Sequence, residues 1–153
     1  MSHAYDTYDY RTYWKGRDYE HNSEVLALKS FLSKIPKTRK IIDIGCGFGR
    51  LCPYYKNRAR EVVLADPSRK NLEYAQDFLK DPKLTYLKTT IDNLPKNLKK
   101  TNFDLAILVR VMHHLEDPEE AISSIRKILN KKGYFILEFA NKLHYKAMAS
   151  NLL

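Results

Sequence analysis

Ile41-Ile42-Asp43-Ile44-Gly45-Cys46-Gly47-Phe48-Gly49 runs from an apolar stretch into a turn with glycine at every second position. Lys40 to Ile44 reads as a buried β-strand, Gly45 to Gly49 as a tight turn, and Arg50 to Asn57 as the helix that follows. Glycine permits positive φ and lets a ligand approach the backbone, and a helix N-terminus supplies unpaired N–H groups. Glu61 to Ala65 is a second β-branched strand, closed by Asp66. Asp66 comes about 20 residues after the first glycine, where a carboxylate can accept hydrogen bonds from both hydroxyls of a ribose. The unit therefore points to a ligand that carries a nucleoside.

The turn is G-x-G-x-G rather than the G-x-G-x-x-G that seats a pyrophosphate on a helix N-terminus, which disfavours a dinucleotide. Asp43, beside the turn, would repel a pyrophosphate and suits a ligand with an ammonium group and a sulfonium. The alternative is a strand-end acid that merely caps the turn.

Outward from this unit the same alternation continues. Upstream, Asn22 or Ser23 caps a helix whose apolar positions Val25, Leu28, Leu32 and Ile35 recur at helical spacing, and Pro36 ends it. Downstream, Ser68 caps a helix with Leu72, Ala75, Phe78 and Leu79 on one face, and Leu84 to Lys88 is a third strand. Phe103 to Val109 is almost continuously apolar, as expected for a central strand covered on both faces. Asp117-Pro118-Glu119-Glu120 combines an N-cap, a first-turn proline and a capping-box acid, with Ile122, Ile125 and Leu129 as the buried stripe. Gly133 opens a fifth strand, Tyr134 to Phe139, and the remainder to Leu153 has the look of another helix. Five strands alternating with helices predict an α/β, Rossmann-like, doubly wound and mainly parallel sheet, with the ligand beyond the carboxyl ends of the strands.

The 153 residues, 44% apolar, suit one domain with a real core. We divide the chain into an aromatic segment, 1–21, and a core, 22–153. Lys and Arg number 27 against 18 acids, a net charge of +9. An acidic partner such as RNA is physically possible, yet the cations are spread in ones and twos, as on solvated surfaces. Cys46 and Cys52 form neither a CxxC nor a ligand cluster, so free thiols and no metal are expected. No apolar run approaches the roughly 18 residues of a membrane span and no signal pattern opens the chain, so a soluble, cytoplasmic protein is expected.

Ile41 to Leu51 resembles motif I of the class I S-adenosylmethionine-dependent methyltransferases. Leu64-Ala65-Asp66-Pro67-Ser68 resembles their acidic loop, and Phe103-Asp104 through His113-His114-Leu115-Glu116-Asp117-Pro118 their fourth motif. The likeness runs roughly from Tyr13 to Lys142 and is closest to the type 11, quinone-biosynthesis-like branch. It implies that Asp43 and the turn Gly45, Cys46, Gly47 and Gly49 hold the methionine part of S-adenosylmethionine, that Asp66 and Pro67 hold the ribose, and that Arg110 faces the methionine moiety through its backbone. The family's Asp-Ala-Glu before Leu-Pro falls on Thr90-Ile91-Asp92, so Thr90 replaces the usual aspartate. Backbone at Ile91, with or without Asp92, then reads the adenine.

Methyl transfer from a sulfonium is an in-line displacement that needs positioning more than a dedicated residue. If a base is used, His113 or His114 is the best placed by sequence, and the alternative is that the pair only packs at the strand-to-helix junction. Tyr5, Tyr8, Tyr10, Tyr13, Trp14 and Tyr19, interleaved with Arg11, Lys15 and Arg17, resemble an N-terminal lid over the cofactor. In that role Tyr13 and its neighbours shield the sulfonium and Arg17 holds a carboxylate. The aromatics could instead cover the sheet or stack on RNA bases.

The expected function is methyl transfer to a small-molecule acceptor, with S-adenosylhomocysteine as product. An RNA-directed methyltransferase and a cofactor-binding scaffold without turnover are the alternatives. Val109-Arg110-Val111-Met112 stands where methylases of exocyclic base amines carry Asn/Asp-Pro-Pro-aromatic. The family's last antiparallel strand pair has no counterpart here. Either the chain is part of a longer protein, or a partner completes the sheet, or five strands suffice; an open edge would favour a homodimer.

Overall fold

The computed structural model describes residues 9–98 and 102–139. A short helix α1 (Tyr10–Tyr13) is capped by the Asp9 side chain, which accepts from the Arg11 amide. The long helix α2 (Asp18–Ser33) follows, then β1 (Lys40–Ile44), β2 (Glu61–Asp66), α3 (Arg69–Leu79), β3 (Leu84–Lys88), α4 (Leu94–Asn97), β4 (Phe103–Val109), α5 (Pro118–Ile128) and β5 (Leu129–Glu138). The sheet has the order β3-β2-β1-β4-β5, and every described pairing is parallel. The chain winds outward from β1 in both directions, so a crevice opens beyond the carboxyl ends of β1 and β4, where the strand order reverses.

Alternation along the strands sends side chains to two separate cores. On one face Ile41, Leu105, Ile107 and Ile136 pack with Val25, Leu28 and Leu32 of α2 and with Leu51 and Tyr55. On the other, Ile42, Ile44, Ala106 and Leu108 pack with Leu94 and with Ala121, Ile125 and Ile128 of α5. The doubly wound α/β expectation is therefore met, with an all-parallel sheet where a mainly parallel one was expected.

Several local expectations fail for identifiable reasons. No α-helix follows the glycine turn. Residues 52–54 and 56–58 form two 3₁₀ turns held by bonds such as Tyr54 N–H to Leu51 O and Tyr55 N–H to Cys52 O. Pro53 would clash with the carbonyl four residues back in an α-helix interior, and a tighter turn avoids this. Helix α2 starts at Asp18, without a side-chain cap at Arg17, rather than at Asn22 or Ser23, so the 21/22 division falls inside it. Its carboxyl end is capped from a distance by the Arg58 guanidinium, which donates to Leu32 O at 2.7 Å. Phe78 and Ile122 are exposed rather than buried; Ala121, Ser124, Ile125 and Ile128 make the buried stripe of α5. Strand β5 begins at Leu129, five residues earlier than expected, with an irregularity in its register opposite Phe103 to Leu105. There the Gly133 backbone passes so close that a Cβ would sit 3.1 Å from the carbonyl oxygens of Asn130 and Phe103. The caps at Ser68 and Asp117 form as the sequence predicts, accepting from the amides of Asn71 and Glu120. Tyr5, Tyr8 and the expected terminal helix lie outside the described residues. No helix among the described residues is long and apolar enough to cross a membrane.

Candidate functional site

Asp43 is the penultimate residue of β1, in register with Glu-to-Asp strand β2 at Leu64 and with β4 at Ile107. It shares the face of Ile41, so its carboxylate enters the α2 side of the sheet, where it is 5% exposed and accepts a hydrogen bond from the Tyr55 hydroxyl. Burial pushes its pKa up to about 6; the Tyr55 bond opposes the shift and the charge of Asp66 adds to it.

Past Asp43 the chain takes positive φ at Gly45, Gly47 and Gly49. The first two matter most for a ligand. A Cβ on Gly45 would lie 2.4 Å from Val111 Cγ2, and one on Gly47 would lie 3.1 Å from the Tyr10 ring, which rests directly on that backbone. The turn's donors are nearly all engaged internally. The amides of Gly45 and Cys46 donate to Ala65 O at 2.7 and 3.1 Å, that of Gly49 to Cys46 O at 3.0 Å, and that of Gly47 to Asp66 Oδ2 at 2.9 Å. This corrects the expectation of a helix N-terminus with unpaired N–H groups: the turn faces a ligand with carbonyl oxygens and a carboxylate.

Asp66 itself ties β2 to the turn, because its Oδ1 also accepts from the Ser68 amide at 2.9 Å and from Asn71 Nδ2 at 3.3 Å. A carboxylate has about four acceptor sites, so a ribose hydroxyl would share this group rather than own it. Pro67 is half-buried beside it.

A layer of arginines and aromatic rings covers the turn. Glu24 of α2 accepts from both Arg50 and Arg110, the latter at 3.0 Å. Arg50 also meets His21 Nδ1 at 2.6 Å and lies 3.5 Å over the Trp14 ring. Arg110, at φ +58°, donates through its side chain to the Tyr13 hydroxyl at 2.7 Å. Its amide donates to Glu138 O at 3.0 Å, which narrows the backbone groups it could offer a ligand to the carbonyl. Tyr10 stacks on Tyr13 and meets Trp14 and Phe48 edge-on. Between this layer and the turn remains a cavity of about 30 Å³, lined by residues including Tyr10, Asp43, Gly45, Cys46, Arg50 and Arg110, with room for one or two waters. Across Phe48 an open groove of about 390 Å³ is lined by Arg11, Trp14, Lys15, Tyr74, Asp77 and Phe78.

Other sequence candidates stand apart from this centre. Arg17 is on the surface, its guanidinium 4.2 Å over the Tyr13 ring and 3.8 Å from Glu20. Ile91 is a core side chain, and Asp92 is exposed. Thr90 Oγ1 accepts from Asn93 Nδ2 at 2.9 Å within its own loop. His113 and His114 sit in a 3₁₀ turn beyond β4, exposed, with ring centroids 3.8 Å apart. Partial burial lowers the pKa of both, helped by Arg110 at His113 and by His113 at His114.

A family model described as a methyltransferase domain matches residues 42–137, which span β1 through β5. The chain is a member of this methyltransferase domain family. A ubiquinone biosynthesis O-methyltransferase of Pelagibacter ubique is 33% identical over 69% of this chain and 44% of its own length. A tRNA U34 carboxymethyltransferase of Pseudomonas fluorescens is 31% identical over 67% of this chain and 33% of its own length. A crystal structure of an S-adenosylmethionine-dependent methyltransferase from Thermotoga maritima, titled a possible histamine N-methyltransferase, superposes with a TM-score of 0.77. It is 25% identical, over 97% of this chain and 66% of that one. The methyltransferase domain thus spans less than half the length of these curated relatives.

Sequence reasoning did not single out Glu24, Arg50 or Tyr55, which the structure brings to this centre. Glu24 belongs to no motif and Arg50 has no role of its own in the motif I stretch; an acid and a base that meet across 26 residues are visible only once α2 folds over the turn.

Proposed function

We propose that this chain binds S-adenosylmethionine at the carboxyl ends of β1, β2 and β4 and directs its methyl group to a small-molecule acceptor. One observation carries the choice of cofactor. The glycine turn has its amides engaged and offers a ligand Asp43 and carbonyl oxygens, which suit an ammonium and repel a phosphate. At Gly47 a Cβ would meet only the Tyr10 ring, so with that ring displaced the bare backbone permits close approach of a ligand, whereas at Gly45 the missing Cβ makes room for Val111.

In this reading Asp43 and the Gly45 carbonyl take the ammonium, and Asp66 shares its remaining lone pairs with the ribose. Arg50 and Arg110, the guanidiniums at the cavity, take the carboxylate in place of Arg17. The loop at Ile91 and Asp92 borders the adenine. When bound, the cofactor supplies an electrophilic methyl on a sulfonium. The chain's part is to orient the acceptor in line with it and exclude water, and the Tyr10, Tyr13 and Trp14 layer is placed for the second task. A cavity of about 30 Å³ is far smaller than such a cofactor, so Tyr10 must leave the Gly47 backbone for it to enter.

The ubiquinone-pathway relative supports a small-molecule acceptor. RNA is the second reading, favoured by the open groove whose rings Trp14, Phe48 and Phe78 stand beside Arg11 and Lys15. Incubation with methyl-labelled S-adenosylmethionine and a mixture of small phenols, alcohols and amines, in parallel with total tRNA, separates the two. Label in the solvent-extractable fraction supports the small-molecule reading; label confined to RNA replaces it.

A further inference from the structure

The carboxyl end of β5 holds a charged group that the site described so far does not use. Glu138 pairs in register with Val109 of β4 and shares the face of Ile136, which is also the face of Ile41, Ile107 and, by alternation, Asp43. Val109 and the next residue, Arg110, both line the cavity with Asp43 and Gly45. The Arg110 amide donates to the Glu138 carbonyl at 3.0 Å, which fixes this backbone against the site. The Glu138 Oε2 is buried and has no hydrogen-bond partner among the described residues.

A buried, unpaired carboxylate oxygen is costly to a fold, and among the unpaired buried atoms of the described residues this is the only one on a carboxylate, the kind of group that a catalytic role explains. The neighbouring charges do not explain it away. Glu24 of α2 engages both Arg50 and Arg110, so the two nearest cations are held by a different acid. We infer that Glu138 is a catalytic residue: it receives the proton of the methyl acceptor, a molecule whose nucleophilic atom carries an O–H or N–H. The inference rests on the methyltransferase reading above.

In the step assigned to it, the acceptor's O–H or N–H donates to Glu138 Oε2. The lone pair of that oxygen or nitrogen forms the new bond to the methyl carbon, the sulfur–methyl bond breaks with its electron pair passing to sulfur, and the proton moves to Oε2. Charge balances: a cationic sulfonium and an anionic carboxylate become a neutral thioether and a neutral carboxylic acid, which later loses its proton to water. Burial, together with the charge of Glu24, raises the Glu138 pKa, against the pull of Arg110 and Arg50, which brings it nearer to neutral pH, where a base works best. Carbon acids and tertiary amines, which present no such donor, fall outside the acceptor class.

The test needs no acceptor. Sinefungin carries an ammonium where S-adenosylmethionine carries its methyl, and S-adenosylhomocysteine carries neither. If Glu138 faces the transferring methyl, the wild-type protein binds sinefungin more tightly than S-adenosylhomocysteine at pH 8 by about tenfold, the size of one charge-assisted hydrogen bond. In Glu138→Gln that preference disappears while S-adenosylhomocysteine affinity holds, and Glu138→Ala behaves alike. In the wild type the preference also fades as the pH falls through the Glu138 titration, with Glu24, Arg50 and Arg110 present in both proteins. Equal losses for both ligands, or a preference that survives both substitutions, overturn the role of Glu138 and leave the cofactor reading standing. Failure of the folded wild type to bind S-adenosylhomocysteine overturns both.

Discussion

Replacing Asp43 with asparagine removes a charge from a buried position of the site and barely changes its shape. The Tyr55 hydroxyl that donates to the carboxylate can donate equally to the amide oxygen. The carboxyl titrates at about 6 in the fold against an ordinary 3.8, chiefly because it is buried. Between those values the folded protein keeps a proton that the unfolded chain releases, so stability falls as pH rises from about 4 to about 6 and levels off above. Two pKa units at about 1.4 kcal/mol each give a loss of about 3 kcal/mol, an upper figure because the site can relax. Asp43→Asn should therefore match the wild type at pH 4 and exceed it by about 1–3 kcal/mol at pH 8. Urea denaturation followed by circular dichroism at pH 4, 6 and 8 measures the difference, in which the other carboxylates cancel. A variant less stable than wild type at pH 8, or a gap that ignores pH, refutes the reasoning. The same variant should lose affinity for S-adenosylhomocysteine, so that the fold keeps a destabilising acid for the sake of its ligand.

Arg50→Met should weaken S-adenosylhomocysteine by about 10–100-fold, the worth of a charged hydrogen bond, and leave 5′-methylthioadenosine, which lacks the amino-acid moiety, unchanged. Arg17→Met should alter neither, and calorimetry distinguishes the two arginines. Trp14 is the only tryptophan and lies edge-on to Tyr10, so S-adenosylhomocysteine should change the intrinsic fluorescence as Tyr10 leaves Gly47. A signal unchanged at saturation would mean that the aromatic layer stays in place.

Strong local signals were read correctly. The runs Lys40 to Ile44, Leu84 to Lys88 and Phe103 to Val109 coincide with β1, β3 and β4. Inner strands β1 and β4 are covered on both faces, which leaves an apolar run with sharp ends, whereas the edge strand β3 was legible from the Asp81-Pro82 break before it. The Ser68 and Asp117 caps were legible for a similar reason, since a single side chain satisfies a single amide two or three residues on. The 3₁₀ turns after the glycines were not legible in Arg50 to Asn57, which reads as a helix; Pro53 would clash with the Gly49 carbonyl in that helix, and the chain tightens instead. The early start of β5 was hidden in Asn130-Lys131-Lys132, which reads as a polar loop but is anchored by Asn130 donating to Asp104 at 2.6 Å. Motif reasoning brought Asp43, the glycines, Asp66 and Arg110 to one place. It did not single out Arg50, which lines the cavity and faces Glu24 only after α2 has crossed the turn.

The most direct measurement is calorimetric titration of the folded chain with S-adenosylhomocysteine and, separately, NAD. A turn whose amides are engaged and whose free groups accept hydrogen bonds should bind the sulfur nucleoside in the micromolar range and NAD undetectably. Binding should vanish in a folded Asp66→Asn variant. Selective binding of NAD, or no binding of S-adenosylhomocysteine by a protein whose melting transition is intact, would contradict the account.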